Sequence, residues 1–204
     1  TVTPLPVSFP STGVLDDFNQ FGRFLSSNWR GFRSGYRVNS NELRVNTGGW
    51  ILWRAESFGA DQEAFVTMAN VDQTGWANDL LLKSQSSTTW RSGVIAVSYN
   101  GPEEKVQIWT YTPWQGWVKY GADIPTTFVD GDQFGAKALA DGTVEVYRNG
   151  NLIGSRDVSN WPYAAAGGSI GMWFYDAADA EVDDFGGGTA VSGPQPTATN
   201  TPPP

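Results

Sequence analysis

The sequence predicts an all-β protein built as an antiparallel sandwich of two sheets. Between residues 14 and 188, apolar and polar residues alternate with a period of two in short runs, which is the pattern of half-buried strands. Gly, Asn, Asp and Pro bound these runs at intervals of about 8 to 12 residues, a spacing typical of sandwiches. No stretch between these runs is long enough and periodic enough to predict a helix, so a fold with a helical layer is disfavoured.

Fourteen strands are predicted within this part of the chain. They are Val14–Phe18, Gly35–Val38, Glu42–Val45, Trp50–Arg54, Glu63–Val71, Asp79–Ser84, Gly93–Tyr99, Lys105–Thr112, Gly116–Gly121, Gln133–Ala140, Thr143–Arg148, Asn151–Asp157, Ser169–Tyr175 and Ala180–Phe185. Two dipeptides that tolerate positive φ, Asp141-Gly142 and Asn149-Gly150, stand between alternating runs and predict two hairpins.

The two ends of the chain differ from its middle. Residues 1–13 and 189–204 are rich in Thr, Ser and Pro and lack an apolar period, which favours extended polyproline conformations. We therefore expect an N-terminal extended segment over 1–13, a sandwich over 14–188 and a C-terminal tail over 189–204. The triplet Gly186–Gly188 is interpreted as the hinge into that tail.

The extended ends suggest two kinds of surface chemistry. Thr/Pro-rich segments are common acceptors of O-linked sugars, and the candidates are Thr3, Thr197, Thr199 and Thr201. An extended segment can also add to the sheet edge of a neighbouring copy. Val7 and Phe9 are the residues that we expect to make such an assembly contact, and open head-to-tail contacts of this kind generate filaments.

Composition excludes several classes of function. The net charge of -8 repels phosphate backbones, so nucleic acid is not expected as a partner. No apolar run approaches the roughly 18 residues that cross a bilayer, so membrane insertion is not expected either. The chain contains no histidine and no cysteine, which excludes Ser-His-Asp and Cys-His nucleophiles and imidazole ligands to zinc.

Three segments carry a resemblance to a known superfamily. The run Ala140–Gly154 reads ADGTVEVYRNGNLIG, the runs Val14–Phe18 and Glu181–Phe185 both end in Asp-Asp-Phe, and Gly168–Phe174 reads GSIGMWF. These segments resemble the hairpin, the terminal strands and the penultimate strand of laminin-G-like and concanavalin-A-like jelly rolls. The resemblance implies a jelly-roll sandwich over roughly residues 14–188 whose first and last strands pair. It also implies a bacterial-type extracellular or cell-surface location.

The same resemblance raises the question of catalysis and of a metal. Retaining glucanases of this superfamily use an E-x-D-x-E strand whose outer glutamates act as a pair. Here Glu181 and Asp183 begin that pattern, but Phe185 occupies the third carboxylate position, so we expect no enzyme. Asp16 and Asp183 would cluster if the terminal strands pair and are candidates for a structural calcium site. The alternative is that these carboxylates face opposite sides of the sheet and point into water.

Aromatic residues provide the candidate binding site. Trp109 and Tyr111 share one strand face, and Trp114 and Trp117 flank a Gly-containing turn. Such rings can stack on a pyranose while neighbouring amides bind its hydroxyl groups. The full candidate set for carbohydrate is Trp109, Tyr111, Trp114, Trp117, Gln115, Trp76 and Trp90. Packing within the chain, or contact with a neighbouring copy, is the alternative role of these rings.

Two functions remain open on the sequence. One is a non-catalytic extracellular surface module, either a structural subunit of a self-associating, O-glycosylated filament or an adhesive domain. The other is a monomeric, lectin-like carbohydrate-binding module that uses exposed Trp and Tyr. The expected partners are accordingly other copies of the chain, a polysaccharide, or both, and calcium is the one cofactor that the sequence suggests.

Overall fold

A computed structural model describes residues 8–20 and 22–191 of the 204-residue chain. Sheet 1 contains β1 (Val14–Asp16), β3 (Tyr36–Asn39), β4 (Glu42–Val45), β6 (Gln62–Asn70), β12 (Gln133–Ala138), β13 (Thr143–Arg148), β14 (Asn151–Asp157) and β16 (Glu181–Thr189). Sheet 2 contains β2 (Trp29–Gly31), β5 (Gly49–Trp53), β7 (Ala77–Ser84), β8 (Val94–Asn100), β9 (Lys105–Thr112), β10 (Gly116–Lys119), β11 (Ile124–Pro125) and β15 (Ser169–Tyr175). Single 3-10 turns lie at Arg33–Gly35 and Trp90–Ser92.

The strands form two antiparallel sheets packed as a sandwich, as predicted. Sheet 1 has the spatial order β14-β13-β12-β6-β16-β4-β3, with β1 beside β16. Sheet 2 has the order β10-β9-β8-β7-β15-β5-β2, with β11 beside β9. No helix in the described part of the chain is long and apolar enough to cross a membrane.

All fourteen predicted strands are present, and five have the predicted bounds. Two further strands were not predicted from the sequence. β2 ends in Gly31 and has three residues, and β11 consists of Ile124 and Pro125. Such pieces are too short to show an alternating pattern, and proline lacks the N–H that a strand interior needs.

The first and last strands pair side by side, as the resemblance implied. Val14 lies opposite Gly186 and Asp16 lies opposite Phe185. The prediction of a hinge at Gly186–Gly188 is wrong, because these glycines are buried inside β16 and pair with Phe65, Ala64 and Glu63 of β6. A Cβ atom at Gly186 would lie 2.1 Å from Cζ of Phe65. The triplet therefore allows close approach of neighbouring chain segments rather than mobility.

The main hydrophobic core lies between the inner faces of the two sheets. Its largest fully buried side chains include Trp29, Tyr36, Tyr99, Phe134 and Trp161. Large aromatic side chains dominate the packing free energy of a core because each removes much apolar surface from water. The size of this core explains how a cysteine-free sandwich is stabilised.

The segment that precedes β1 lies on the outer face of sheet 1. The buried carboxylate of Glu63 accepts hydrogen bonds of 2.6 and 2.7 Å from the backbone N–H groups of Ser11 and Thr12, and both hydroxyl groups also donate to it. The Phe9 ring stacks on Tyr147 with 3.9 Å between centroids. Glu63 therefore attaches residues 8–13 to the sandwich.

We expect Glu63→Gln to release this segment. The substitution replaces one carboxylate oxygen, which accepts hydrogen bonds, by an NH2 group that faces the donors of Ser11 and Thr12. Leaving a buried polar group unpaired lowers the free energy of unfolding by about 1–3 kcal/mol. Hydrogen exchange at the Ser11 and Thr12 amides should accelerate at least tenfold, and the free energy of unfolding in urea should fall by that amount. Glu56→Gln, which removes one exposed carboxylate, is the charge-matched control, and equal behaviour of the two variants would contradict this role of Glu63.

Candidate functional site

The outer face of sheet 2 carries apolar side chains as well as the inner face. In β15, Ile170, Met172 and Phe174 pack into the main core, whereas Trp173 and Tyr175 point to the other side. Successive side chains of a strand alternate between the faces of the sheet. Because β15 is apolar at nearly every position, it also places rings on a face that no other sheet of the described chain covers.

These outward rings pack over a small aliphatic layer. Leu52, Leu81, Val94 and Ala96 form a second apolar cluster, separate from the main core, and each is at most 2% exposed. The rings packed against this layer belong to Trp50, Trp90, Trp109, Tyr111 and Trp173. On this side of the described sandwich, aromatic side chains cover the aliphatic layer in place of a further sheet or helix.

Trp90 lies at the centre of the ring contacts. Its ring centroid lies 4.6 Å from Tyr111, 5.0 Å from Trp173 and 5.3 Å from Trp117, on which it stacks with an angle of 22°. Trp90 belongs to a 3-10 turn rather than to a strand, so the turn positions the indole over the sheet. Its contacts join the rings of Tyr111, Trp117 and Trp173 into one cluster.

Next to these contacts the rings border an open groove of about 370 Å³. Its lining residues are Ala77, Asp79, Ala96, Ser98, Trp109, Trp117, Trp173 and Tyr175. Trp117 is 38% exposed and Tyr175 is 65% exposed. We call this site the aromatic groove, and its walls are mainly apolar with Asp79 and Ser98 as polar groups.

Asp79 is the unusual residue of the aromatic groove. It is 8% exposed, and its Oδ1 atom has no hydrogen-bond partner within the described chain. The Ser98 side chain, which lies opposite it on β8, hydrogen-bonds to the same carboxyl group. Burial raises the pKa of Asp79 from its usual value near 3.8 to about 7. The carboxyl group is therefore partly protonated near neutral pH.

A charged network lies beside Trp109 on the same face. Asp123 binds Lys105 at 2.7 Å, forms an ion pair with Lys119 and accepts a hydrogen bond of 2.9 Å from Gln107. Hydrogen bonds from Lys105, Lys119 and Gln107 hold the pKa of Asp123 below its usual range. Glu103 forms a further ion pair with Lys105, so Asp123 and Glu103 together balance the two lysine charges at this rim.

The structure brings together four of the predicted carbohydrate contacts and separates the others. Trp90, Trp109, Tyr111 and Trp117 share the ring cluster. Three predicted residues lie apart from it. Trp114 is 64% exposed and approaches Tyr163, Gln115 accepts a hydrogen bond from Thr112 within its own turn, and Trp76 lies exposed just before β7.

The predicted calcium residues are engaged in local hydrogen bonds. The Asp16 carboxylate accepts hydrogen bonds from the Phe18 amide at 3.0 Å and from Nε1 of Trp29 at 2.7 Å. Oδ1 of Asp183 accepts one from the Asp184 amide at 2.8 Å. Within residues 8–20 and 22–191, no three acidic, His or Cys side chains are grouped so as to hold a metal ion. The calcium site stays a prediction.

The predicted assembly and glycosylation residues lie mostly at the ends. Phe9 is 8% exposed and packs on Tyr147 and Phe65 of its own chain, so in this conformation its ring is not available to a neighbouring copy. Val7 and the glycosylation candidates Thr3, Thr197, Thr199 and Thr201 lie outside the described residues.

Sequence reasoning missed the polar centre of the groove and two of its rings. Asp79 was assigned to a strand but not to a site, and Trp173 and Tyr175 were not singled out. A usable signal was present for the rings, because period two places Trp173 and Tyr175 opposite the core residues of β15. No local signal identified Asp79, since its neighbour Ser98 is distant in sequence and only strand pairing joins them.

We expect the stability difference between Asp79→Asn and the wild type to depend on pH. Because the pKa of Asp79 is raised by burial to about 7, the stability it contributes is present below about pH 4 and is lost as pH rises through about 7. Between about pH 4 and about pH 7, each pH unit lowers the free energy of unfolding of the wild type by about 1.4 kcal/mol. Between pH 4 and pH 8 the variant should therefore gain on the order of 4 kcal/mol in free energy of unfolding relative to wild type.

Urea unfolding at both pH values measures this difference, and the comparison cancels any constant cost of the amide. Glu56→Gln serves again as the control for the loss of one carboxylate. A stability difference of the same size at pH 4 and pH 8 would show that Asp79 titrates normally.

The chain matches no protein-family model and no curated protein sequence, whereas solved structures resemble its fold. LamA from Zobellia galactanivorans in complex with laminaritriose and laminaritetraose is 13% identical with a TM-score of 0.58, over 87% of this chain and 98% of that one. The endo-beta-1,3-glucanase from Pyrococcus furiosus is 11% identical with a TM-score of 0.57, over 93% and 100%. An alginate lyase in complex with alginate trisaccharide is 14% identical with a TM-score of 0.53, over 89% and 99%.

At these identities the likeness concerns the fold. Sheet number, antiparallel pairing and the adjacent terminal strands agree with the jelly-roll part of the resemblance, while the laminin-G part stays a prediction. The chain therefore has the fold of an antiparallel two-sheet jelly-roll sandwich.

Proposed function

We propose that this chain is a non-catalytic, extracellular carbohydrate-binding module that holds a glycan in the aromatic groove of sheet 2. The observation that carries the proposal is a groove lined by the rings of Trp109, Trp117, Trp173 and Tyr175 together with the polar pair Asp79 and Ser98. Ring faces stack on the apolar side of a pyranose, and a few polar groups between them bind hydroxyl groups.

The size and rim of the groove support this assignment. A volume of about 370 Å³ lies within the range of about 300–1,000 Å³ of small-molecule sites. Gln107 and Lys119 stand beside Trp109 and supply further hydrogen-bonding groups. The groove is also open on one side, as a site for a chain of sugars requires.

The non-catalytic part of the proposal is based on the carboxylates. Glycoside hydrolases of the usual kind need a pair of carboxyl groups on either side of the scissile bond. Asp79 is the one acidic residue that lines the groove in the described structure. Glu181 and Asp183, which resemble the start of a glucanase motif, belong to β16 of sheet 1 and not to the sheet that carries the groove.

The solved structures support a glycan as the ligand. Two of the structures with a similar fold contain oligosaccharides, namely laminari-oligosaccharides and an alginate trisaccharide. These neighbours support a polysaccharide as the ligand, and a module that binds polysaccharides is accordingly proposed to act outside the cell. Self-association through the ends of the chain is a separate prediction that no contact among the described residues supports.

We expect Trp117→Ala to weaken glycan binding at least tenfold, about 1.4 kcal/mol, because it removes a wall of the aromatic groove. Trp114→Ala is the matched control, since this exposed indole approaches Tyr163 outside the groove. Affinity electrophoresis on neutral, acidic and basic polysaccharides finds the ligand, and calorimetry with its oligosaccharides measures the affinities. Equal affinity of the two variants, or no retardation on any polysaccharide, would contradict the proposed function.

A further inference from the structure

We infer that the aromatic groove selects a positively charged sugar, an amino sugar unit whose ammonium group lies against Asp79 between the rings of Trp109, Trp117, Trp173 and Tyr175. This inference rests on the proposed function of the groove and names the class of glycan that it takes. Three features of the groove lead to it.

The first feature is an acidic group without a counterion. Asp79 is buried, its Oδ1 atom has no hydrogen-bond partner in the described structure, and no basic side chain lines the groove. The nearby lysines of the rim, Lys105 and Lys119, are both paired with Asp123. A buried charge that is not paired is costly, so the cation that would balance Asp79 has to come from outside the chain.

The second feature is the nature of the walls. The faces of indole and phenol rings are the negative ends of their quadrupoles, and they attract a cation within about 6 Å of the ring centre. An ammonium group complements the rings and the carboxylate together. A hydroxyl group satisfies only the carboxylate, and a carboxylated or sulfated sugar is repelled by both.

The third feature is the protonation of Asp79. Burial raises the pKa of this carboxyl group to about 7, so an approaching cation must displace a proton at lower pH. The other titratable groups close to it are the Tyr175 phenol in the groove and the Tyr36 phenol on the core side, and burial raises the pKa of Tyr36 further above its usual value. The Tyr36 phenol is therefore neutral between pH 5 and pH 8.

A permanent cation should therefore bind with a characteristic pH profile. For one proton released on binding, affinity rises up to tenfold per pH unit below the pKa of Asp79 and levels off above it. Ser98 hydrogen-bonds to the Asp79 carboxyl and lowers its pKa. Loss of that bond in Ser98→Ala should move the midpoint of the profile to higher pH.

The probes are two sugars with the same ring. N,N,N-trimethylglucosamine carries a charge that does not titrate, and N-acetylglucosamine is the neutral compound of similar size. Ligand-observed NMR and tryptophan fluorescence give their affinities between pH 5 and pH 8. We expect at least a tenfold preference for the trimethylammonium sugar at pH 8 that shrinks toward pH 5, with little pH dependence for N-acetylglucosamine.

Asp79→Asn keeps the shape of the side chain and removes its charge, so the preference and its pH dependence should disappear. Glu56→Gln, which removes one exposed carboxylate outside the groove, should keep both. This control separates a local contact with Asp79 from the attraction of any cation to a chain of net charge -8.

The outcomes separate this inference from the proposed function. Three outcomes would overturn the cationic assignment alone. The two sugars could bind equally, or the preference for the charged sugar could survive Asp79→Asn. The third is that the protein binds a polysaccharide but neither of the two sugars. If Trp117→Ala then still weakens polysaccharide binding, the groove remains a glycan site. If no sugar and no polysaccharide binds, the proposed function fails as well.

Discussion

Sheet 2 carries apolar side chains on both faces. The main core and the aromatic groove both depend on how these two faces are covered. The inner face packs against sheet 1 and forms the main core. Among residues 8–20 and 22–191 the outer face has no second layer, so Trp90 and its neighbouring rings cover Leu52, Leu81, Val94 and Ala96. Rings that cover a sheet without being covered themselves leave apolar surface open to solvent, and such patches mark binding sites.

The two outer faces of the sandwich differ in whether a segment of the described chain covers them. On sheet 1, residues 8–13 of the chain itself lie over the strands, with the Phe9 ring on Tyr147 and the Glu63 carboxylate bound to Ser11 and Thr12. On sheet 2, no comparable segment of the described chain lies over the groove. The side that the described residues leave open is the side on which we propose that an external ligand binds.

Buried carboxylates in this protein also fall into two kinds. Burial acts to raise the pKa of Asp132, but hydrogen bonds from Val129, Asn149 and Arg148 outweigh it and lower the pKa. Glu63 has a full set of donors as well. Among the described residues Asp79 has only Ser98 as a hydrogen-bonding side chain, and burial raises the pKa of Asp79 to about 7. A group that opposes folding in this way is typical of functional sites.

Period two in the sequence was sufficient to predict the strands, the hairpins and the ring-bearing face at Trp109 and Tyr111, because alternation is a local property of each strand. It did not predict β2 or β11, which are too short to alternate, nor the role of Gly186–Gly188, whose close approach to β6 depends on a partner strand. The aromatic groove likewise depends on which strands become neighbours. Asp79 meets Ser98 and Trp173 only through the pairing of β7 with β8 and β15, and the desolvation that raises its pKa arises only once those rings surround it.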